Sequence, residues 1–89
     1  MVFELSTSFL KRYNKCDRLL QNRVDRRLAL FLENHTNPIL NNHALKGKMD
    51  GYRSINITGD WRALYTTRGD GRGVEIAVFQ TLGTHSQLY

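Results

Sequence analysis

The sequence predicts an α+β domain, an antiparallel sheet with a helical hairpin packed on one face, in the order β-α-α-β-β-β. Two observations carry this expectation. Apolar residues recur at helical spacing from Phe9 to Phe31, and the apolar period changes to two after Gly51. A glycine-rich stretch, Arg68-Gly69-Asp70-Gly71-Arg72-Gly73, then separates two runs rich in aromatic and β-branched residues, as a hairpin turn does. A strand, then helices, then further strands gathers the helices onto one face of the sheet.

Taken in order, Val2-Phe3-Glu4-Leu5 reads as a short strand, and Ser6, Thr7 and Ser8 offer helix N-caps after it. Phe9, Tyr13 and Cys16 fall on one helical stripe. Leu20, Val24, Leu28 and Phe31 continue it from residue 17 to about residue 34, with Arg18, Arg23, Arg26 and Arg27 mostly off the stripe. The hairpin breaks near residues 14–17. Asn37-Pro38 ends the second helix and opens a loop, because the residue before proline is pushed out of helical geometry. Beyond Gly51, Ile55 and Ile57 alternate with Tyr52, Ser54 and Asn56, so the latter three point to the open face of the sheet. Thr58-Gly59-Asp60 is a turn, residues 61–67 form the next strand, and residues 74–82, the most apolar run, form the central one.

The 89 residues make one small domain, with 40% hydrophobic and 24% charged residues as in an ordinary globule. No apolar run approaches the ~18 residues of a membrane span, and no secretion signal is recognisable. A single cysteine, Cys16, leaves no internal disulfide, and the cytoplasm is the simplest location. Thirteen Lys and Arg against eight Asp and Glu give a net charge of +5, which favours nucleic acid or another acidic partner.

Metal and cofactor chemistry find no support in the sequence. His35, His43 and His85 have no carboxylate or second histidine at a recognised ligand spacing, and the glycine stretch lacks the Lys-Ser/Thr ending of a phosphate loop. The residues left to carry chemistry are His43, Arg53, Asn56, Asp60, Arg62, His85 and Tyr89. Histidine gives and takes protons near neutral pH, and arginine matches a phosphate with its planar fork. Cleaving RNA without a metal needs those parts: a base for the 2′-hydroxyl, a cation for the phosphorane, and an acid for the leaving 5′-oxygen. Plainer roles exist for each. His35 and His43 fit a loop, and Arg53 fits an ion pair with a helix carboxylate. Asp60 fits a turn cap, Trp61 the core, and Arg62 a solvated edge. His85 and Tyr89 fit packing of the chain end, and the helix arginines a solvated face.

The residues also carry a family resemblance. Residues 43–65, His-Ala-Leu-Lys-Gly-Lys-Met-Asp-Gly-Tyr-Arg-Ser-Ile-Asn-Ile-Thr-Gly-Asp-Trp-Arg-Ala-Leu-Tyr, look like the core of the RelE/ParE toxin superfamily. The tail Gly83-Thr84-His85-Ser86-Gln87-Leu88-Tyr89 is similar to the YafQ-like branch, and Phe3-Glu4-Leu5-Ser6-Thr7-Ser8-Phe9 looks like its usual first strand and helix start. The resemblance covers nearly the whole chain. It implies a toxin of a type II toxin–antitoxin pair, a metal-free endoribonuclease that cuts mRNA in the ribosomal A site and is silenced by a cognate antitoxin. Operator DNA would be met only through the antitoxin complex.

Position by position, the resemblance implies that His43 is the family's loop histidine, Asp60 and Trp61 its Asp-Trp pair, His85 its catalytic histidine and Tyr89 its terminal aromatic. Asn56 stands where the family has a strand histidine and Thr81 where it has an arginine, and Arg62 is placed to compensate for the latter. The implied roles follow. His85 is general acid or shares proton transfer with His43, and Arg62, with Lys46 and Lys48, holds the phosphate. Asp60 orients a histidine or acts as base. Tyr89, Trp61 and Asn56 contact the RNA. The alternatives are a ParE-like toxin that inhibits gyrase without nuclease activity, and a weakened toxin kept for antitoxin binding.

Overall fold

The computed structural model describes all of residues 1–89. β1 (Val2–Leu5) runs into α1 (Thr7–Asn14), where the Ser6 hydroxyl accepts the Phe9 N–H at 3.0 Å and satisfies an otherwise orphaned helix donor. Asp17 does the same for α2 (Arg18–Glu33), accepting from Leu20 N at 2.8 Å. The expected break near residues 14–17 is therefore a second N-cap. A 3-10 turn at Pro38–Leu40 is capped by the Asn37 side chain and ends on Asn41, whose φ of 46° is left-handed. β2 (His43–Ala44), a 3-10 turn at Gly47–Met49, β3 (Arg53–Asn56), β4 (Trp61–Gly69), β5 (Glu75–Thr84) and the one-turn α3 (His85–Leu88) complete the chain. No helix is long and apolar enough to cross a membrane.

The α+β architecture is as expected, with three differences. The sheet is mixed: its order is β1-β5-β4-β3-β2, and β1 lies parallel to β5 while every other pair is antiparallel. The helical hairpin carries the chain from β1 at one edge of the sheet to β2 at the other, and β3, β4 and β5 then return across it until β5 lies beside β1 in the same direction. The sheet's middle strand is β4, with β5 inside it and paired on both sides. Residues 43–44 and 85–88, which carry no periodic signal, form a short strand and a helical turn.

The helix stripe packs on one face of this sheet. Phe9, Val24, Leu28 and Phe31 meet Ile55, Ile57, Ala63, Tyr65, Ala77, Phe79 and Leu82 in one core. Phe31, Tyr65 and Phe79 form a mutual cluster with centroids 5.1–5.2 Å apart, within the range where aromatic pairs attract. A bulge sets the register of β5: Leu64 pairs with Thr81 but Tyr65 with Phe79. The core positions therefore shift from Ala77 and Phe79 to Leu82, and Thr81 and Gly83 turn to the opposite face.

That opposite face is only partly open. Ser54 and Leu64 are fully buried there, so Ser54 does not reach solvent as the alternation suggested. Leu88 folds back over Gly83, close enough that a Cβ on Gly83 would lie 3.1 Å from Leu88 Cδ2. Arg53 also differs from expectation. It makes no ion pair with a helix carboxylate, but donates Nε to Asn42 Oδ1 at 3.0 Å, the atom that also accepts the Tyr65 hydroxyl. The one ion pair of the molecule joins exposed Arg68 and Glu4.

Candidate functional site

Two rows of cross-strand neighbours define the face away from the helices. His43, Ser54, Leu64 and Thr81 make one row, and Asn56, Arg62 and Gly83 the next. At the end of this face lies a cavity of about 470 Å³. His43, Lys46, Arg62, His85 and Tyr89 line it, together with Asn41, Leu45 and Met49. Five of the residues expected to carry chemistry are thus brought together from four elements of the chain.

Each is positioned by local geometry. The left-handed conformation of Asn41 turns its carbonyl toward the His43 ring, 2.7 Å from Nδ1. A carbonyl only accepts, so Nδ1 carries a hydrogen and the neutral ring keeps its lone pair on Nε2. Lys46 opens the 3-10 turn after β2 and is exposed. Arg62, half-buried on β4, wraps its guanidinium around the preceding turn: Nη1 donates to Thr58 O at 3.0 Å and Trp61 O at 3.1 Å, and Nη2 to Gly59 O at 3.1 Å. Its charge is held in place while donors remain for a ligand.

His85 follows β5 directly and its N–H donates to Asp60 O at 3.0 Å. Thr84 and Gln87 form a capping box, with Thr84 N donating to Gln87 Oε1 at 2.8 Å and Gln87 N to Thr84 Oγ1 at 3.3 Å. This closes the single turn that brings Tyr89 onto His85, with ring centroids 4.7 Å apart and planes tilted by 50°. The cavity lining holds a lysine, an arginine and two imidazoles, and no side-chain carboxylate. Such a site attracts an anion and can both take and give protons.

The other expected site residues lie elsewhere. Asn56 is beside Arg62 in register, behind the cavity, with Oδ1 buried and unpartnered. Asp60 sits in the exposed turn and reaches the site through its backbone carbonyl, not its carboxylate. Lys48 is exposed in the 3-10 turn, outside the lining. Trp61 faces the helices, packed against the core and lining two different cavities with Leu20. Asn41, Leu45 and Met49 were not anticipated. Only Asn41 leaves a trace in the sequence, since an Asn-Asn pair two residues before a histidine suits a left-handed turn. No group of three or more His, Cys, Asp or Glu side chains is gathered to hold a metal ion.

No family model matches the sequence, and no curated protein matches it. Solved structures do resemble the fold. A YoeB/ParE toxin from Agrobacterium tumefaciens superposes with a TM-score of 0.74 at 20% identity, over 96% of this chain and 99% of that one. YafQ from E. coli gives 0.71 at 22% identity, over 98% and 96%, and it also appears in a complex with DinJ, described as a toxin–antitoxin complex. A copper-bound mutant toxin from Helicobacter pylori gives 0.66 at 29% identity, over 100% and 99%. These likenesses show that the chain has the fold these YoeB/ParE, YafQ and Helicobacter pylori toxins share.

Proposed function

We propose that this protein is the toxin of a type II toxin–antitoxin system and that it cuts mRNA bound to the ribosome. The observation that carries the proposal is the cavity in which His43, His85, Arg62 and Lys46 converge with the Tyr89 ring. Those groups match what transesterification of RNA requires. His43 Nε2, its lone pair left free by the bond at Nδ1, takes the proton from the 2′-hydroxyl. The 2′-oxygen attacks phosphorus while Arg62 and Lys46 stabilise the charge on the phosphorane. His85 gives a proton to the departing 5′-oxygen, leaving a 2′,3′-cyclic phosphate and a 5′-hydroxyl. Tyr89 holds the His85 ring and offers a face on which a base stacks. Asp60 acts by fixing where α3 begins, and Asn56 by packing beside Arg62.

The net charge of +5 suits an RNA-rich target such as a ribosome carrying mRNA. The E. coli DinJ–YafQ complex supports a cognate antitoxin as the protein partner; in this reading, operator DNA is met only through the antitoxin. Induced expression followed by primer extension on cellular mRNA tests the proposal. New 5′ ends in register with codons are expected. DNA breaks without such ends would favour gyrase inhibition instead, and unimpaired growth with a folded product would favour a weakened toxin.

A further inference from the structure

His43 sits on an edge strand of two residues, and so short an edge has few ladder bonds to keep it from opening. Only His43 and Ala44 pair with β3, opposite Ser54 and Arg53. The ladder alone therefore does little to hold the imidazole in place. The residue before it does more. Alternation along the chain sends the Asn42 side chain to the helical side of the sheet, while His43 lines the cavity on the other side.

On the helical side Asn42 ties three parts of the fold together. Its Oδ1 accepts Arg53 Nε from β3 and the Tyr65 hydroxyl from β4, each at 3.0 Å. Its Nδ2 donates to His35 O, just beyond the end of α2, at 2.9 Å. Arg53 Nη2 also reaches the Asn42 carbonyl, at 3.5 Å. Tyr65 is buried and its ring packs between Phe31 and Phe79, so the clamp is anchored in the core.

The consequence falls on the opposite face. The carbonyl of Asn41 and the N–H of Asn42 belong to one planar peptide group. That carbonyl meets His43 Nδ1 at 2.7 Å. The clamp on Asn42 fixes one side of the plane, and the left-handed turn at Asn41 fixes the other. We propose that Asn42, held by Arg53, Tyr65 and the His35 carbonyl, is a positioning residue that sets the tautomer and orientation of the His43 ring from across the sheet. Its effect on cleavage rests on the reading of His43 as the base; its effect on the ring does not. His85 supplies an internal control, because it is held by the Asp60 carbonyl, the Thr84–Gln87 capping box and the Tyr89 ring, and not by Asn42.

The experiment follows the ring nitrogens of both histidines by NMR in the full chain, at alkaline pH where imidazoles are neutral. Single-turnover cleavage of mRNA on programmed ribosomes is measured alongside. In the wild type, His43 is expected as the Nδ1–H tautomer. In Asn42→Ala this preference is expected to relax toward the mixture of free histidine, with His85 unchanged. Cleavage is expected to slow about tenfold at saturating ribosomes, the cost of moving a reacting group by a fraction of an ångström. Tyr65→Phe keeps the ring in the core and removes one bond to Asn42. It is expected to shift His43 in the same sense but less, and it carries the test if the alanine variant does not fold. An unchanged His43 tautomer in the variants that fold would overturn the proposal. Equal changes at His43 and His85 would also overturn it, since they would report general loosening. A shifted His43 tautomer with undiminished cleavage would uphold the clamp and remove His43 from the role of base.

Discussion

Gly83→Ala tests whether the packing of α3 sets the position of His85. Gly83 has ordinary backbone geometry, so the methyl group brings no conformational strain and only its space matters. A Cβ there would lie 3.1 Å from Gln87 Oε1 and from Leu88 Cδ2, and 3.2 Å from Leu88 Cγ. Comfortable carbon contacts are about 3.5–4.0 Å, so α3 has to retreat by roughly 0.5 Å. Moving Gln87 breaks the capping box, which costs about 1 kcal/mol of stability, a local loss at the end of the chain. A misplacement of 1 Å in a reacting group costs up to ~10²-fold in rate, so a 0.5 Å shift of His85 predicts about a tenfold slower cleavage. Single-turnover cleavage of mRNA on programmed ribosomes measures the rate, and urea unfolding measures stability. A variant that cleaves at the wild-type rate, with α3 demonstrably displaced, would refute the claim that this turn sets the geometry of the site.

Three further outcomes are expected. His43→Ala and His85→Ala each slow cleavage by about 10²- to 10⁴-fold, while stability, since both side chains are exposed, stays within ~0.5 kcal/mol of wild type in urea titrations. Asn41→Gly keeps the left-handed turn and most of the cleavage rate, whereas Asn41→Val strains the turn by about 1–2 kcal/mol, loosens the His43 ring and lowers the rate in the same single-turnover assay. The hydrogen bond from Arg68 holds the Glu4 carboxyl below its ordinary value of 4.5. A depressed carboxyl stabilises the fold above its unfolded pKa, and that contribution disappears as pH falls through the folded one. The urea midpoint of Glu4→Gln is therefore expected to sit slightly below wild type at neutral pH and to merge with it in acid.

Much of this fold is legible in the sequence because single-face burial leaves a period. The stripe through Val24, Leu28 and Phe31 and the alternation of Ile55 and Ile57 report which side of each element meets the core. The direction of β1 leaves no such mark, since a strand's alternation is the same whichever way its neighbour runs. The bulge at Leu64 and Tyr65 is hidden for a similar reason: it changes the face of Leu82 without changing its apolar character. At the site, His43, His85, Arg62, Lys46 and Tyr89 stand out by residue type and by resemblance, and the structure gathers them into one cavity. Trp61 and Asp60 stood beside them in sequence, yet alternation turns Trp61 to the helices and Asp60 takes part through its backbone. The Asn41 carbonyl that fixes the His43 ring depends on a backbone angle, and only the folded chain displays it.

The division of labour between the two imidazoles can be measured with an RNA whose scissile 5′-oxygen is replaced by sulfur, a leaving group that departs without a proton. Cleavage by His85→Ala is expected to recover on this substrate, and cleavage by His43→Ala to stay slow, because the base is still needed to activate the 2′-hydroxyl. Recovery of His43→Ala with no recovery of His85→Ala would contradict the assignment and exchange the two roles.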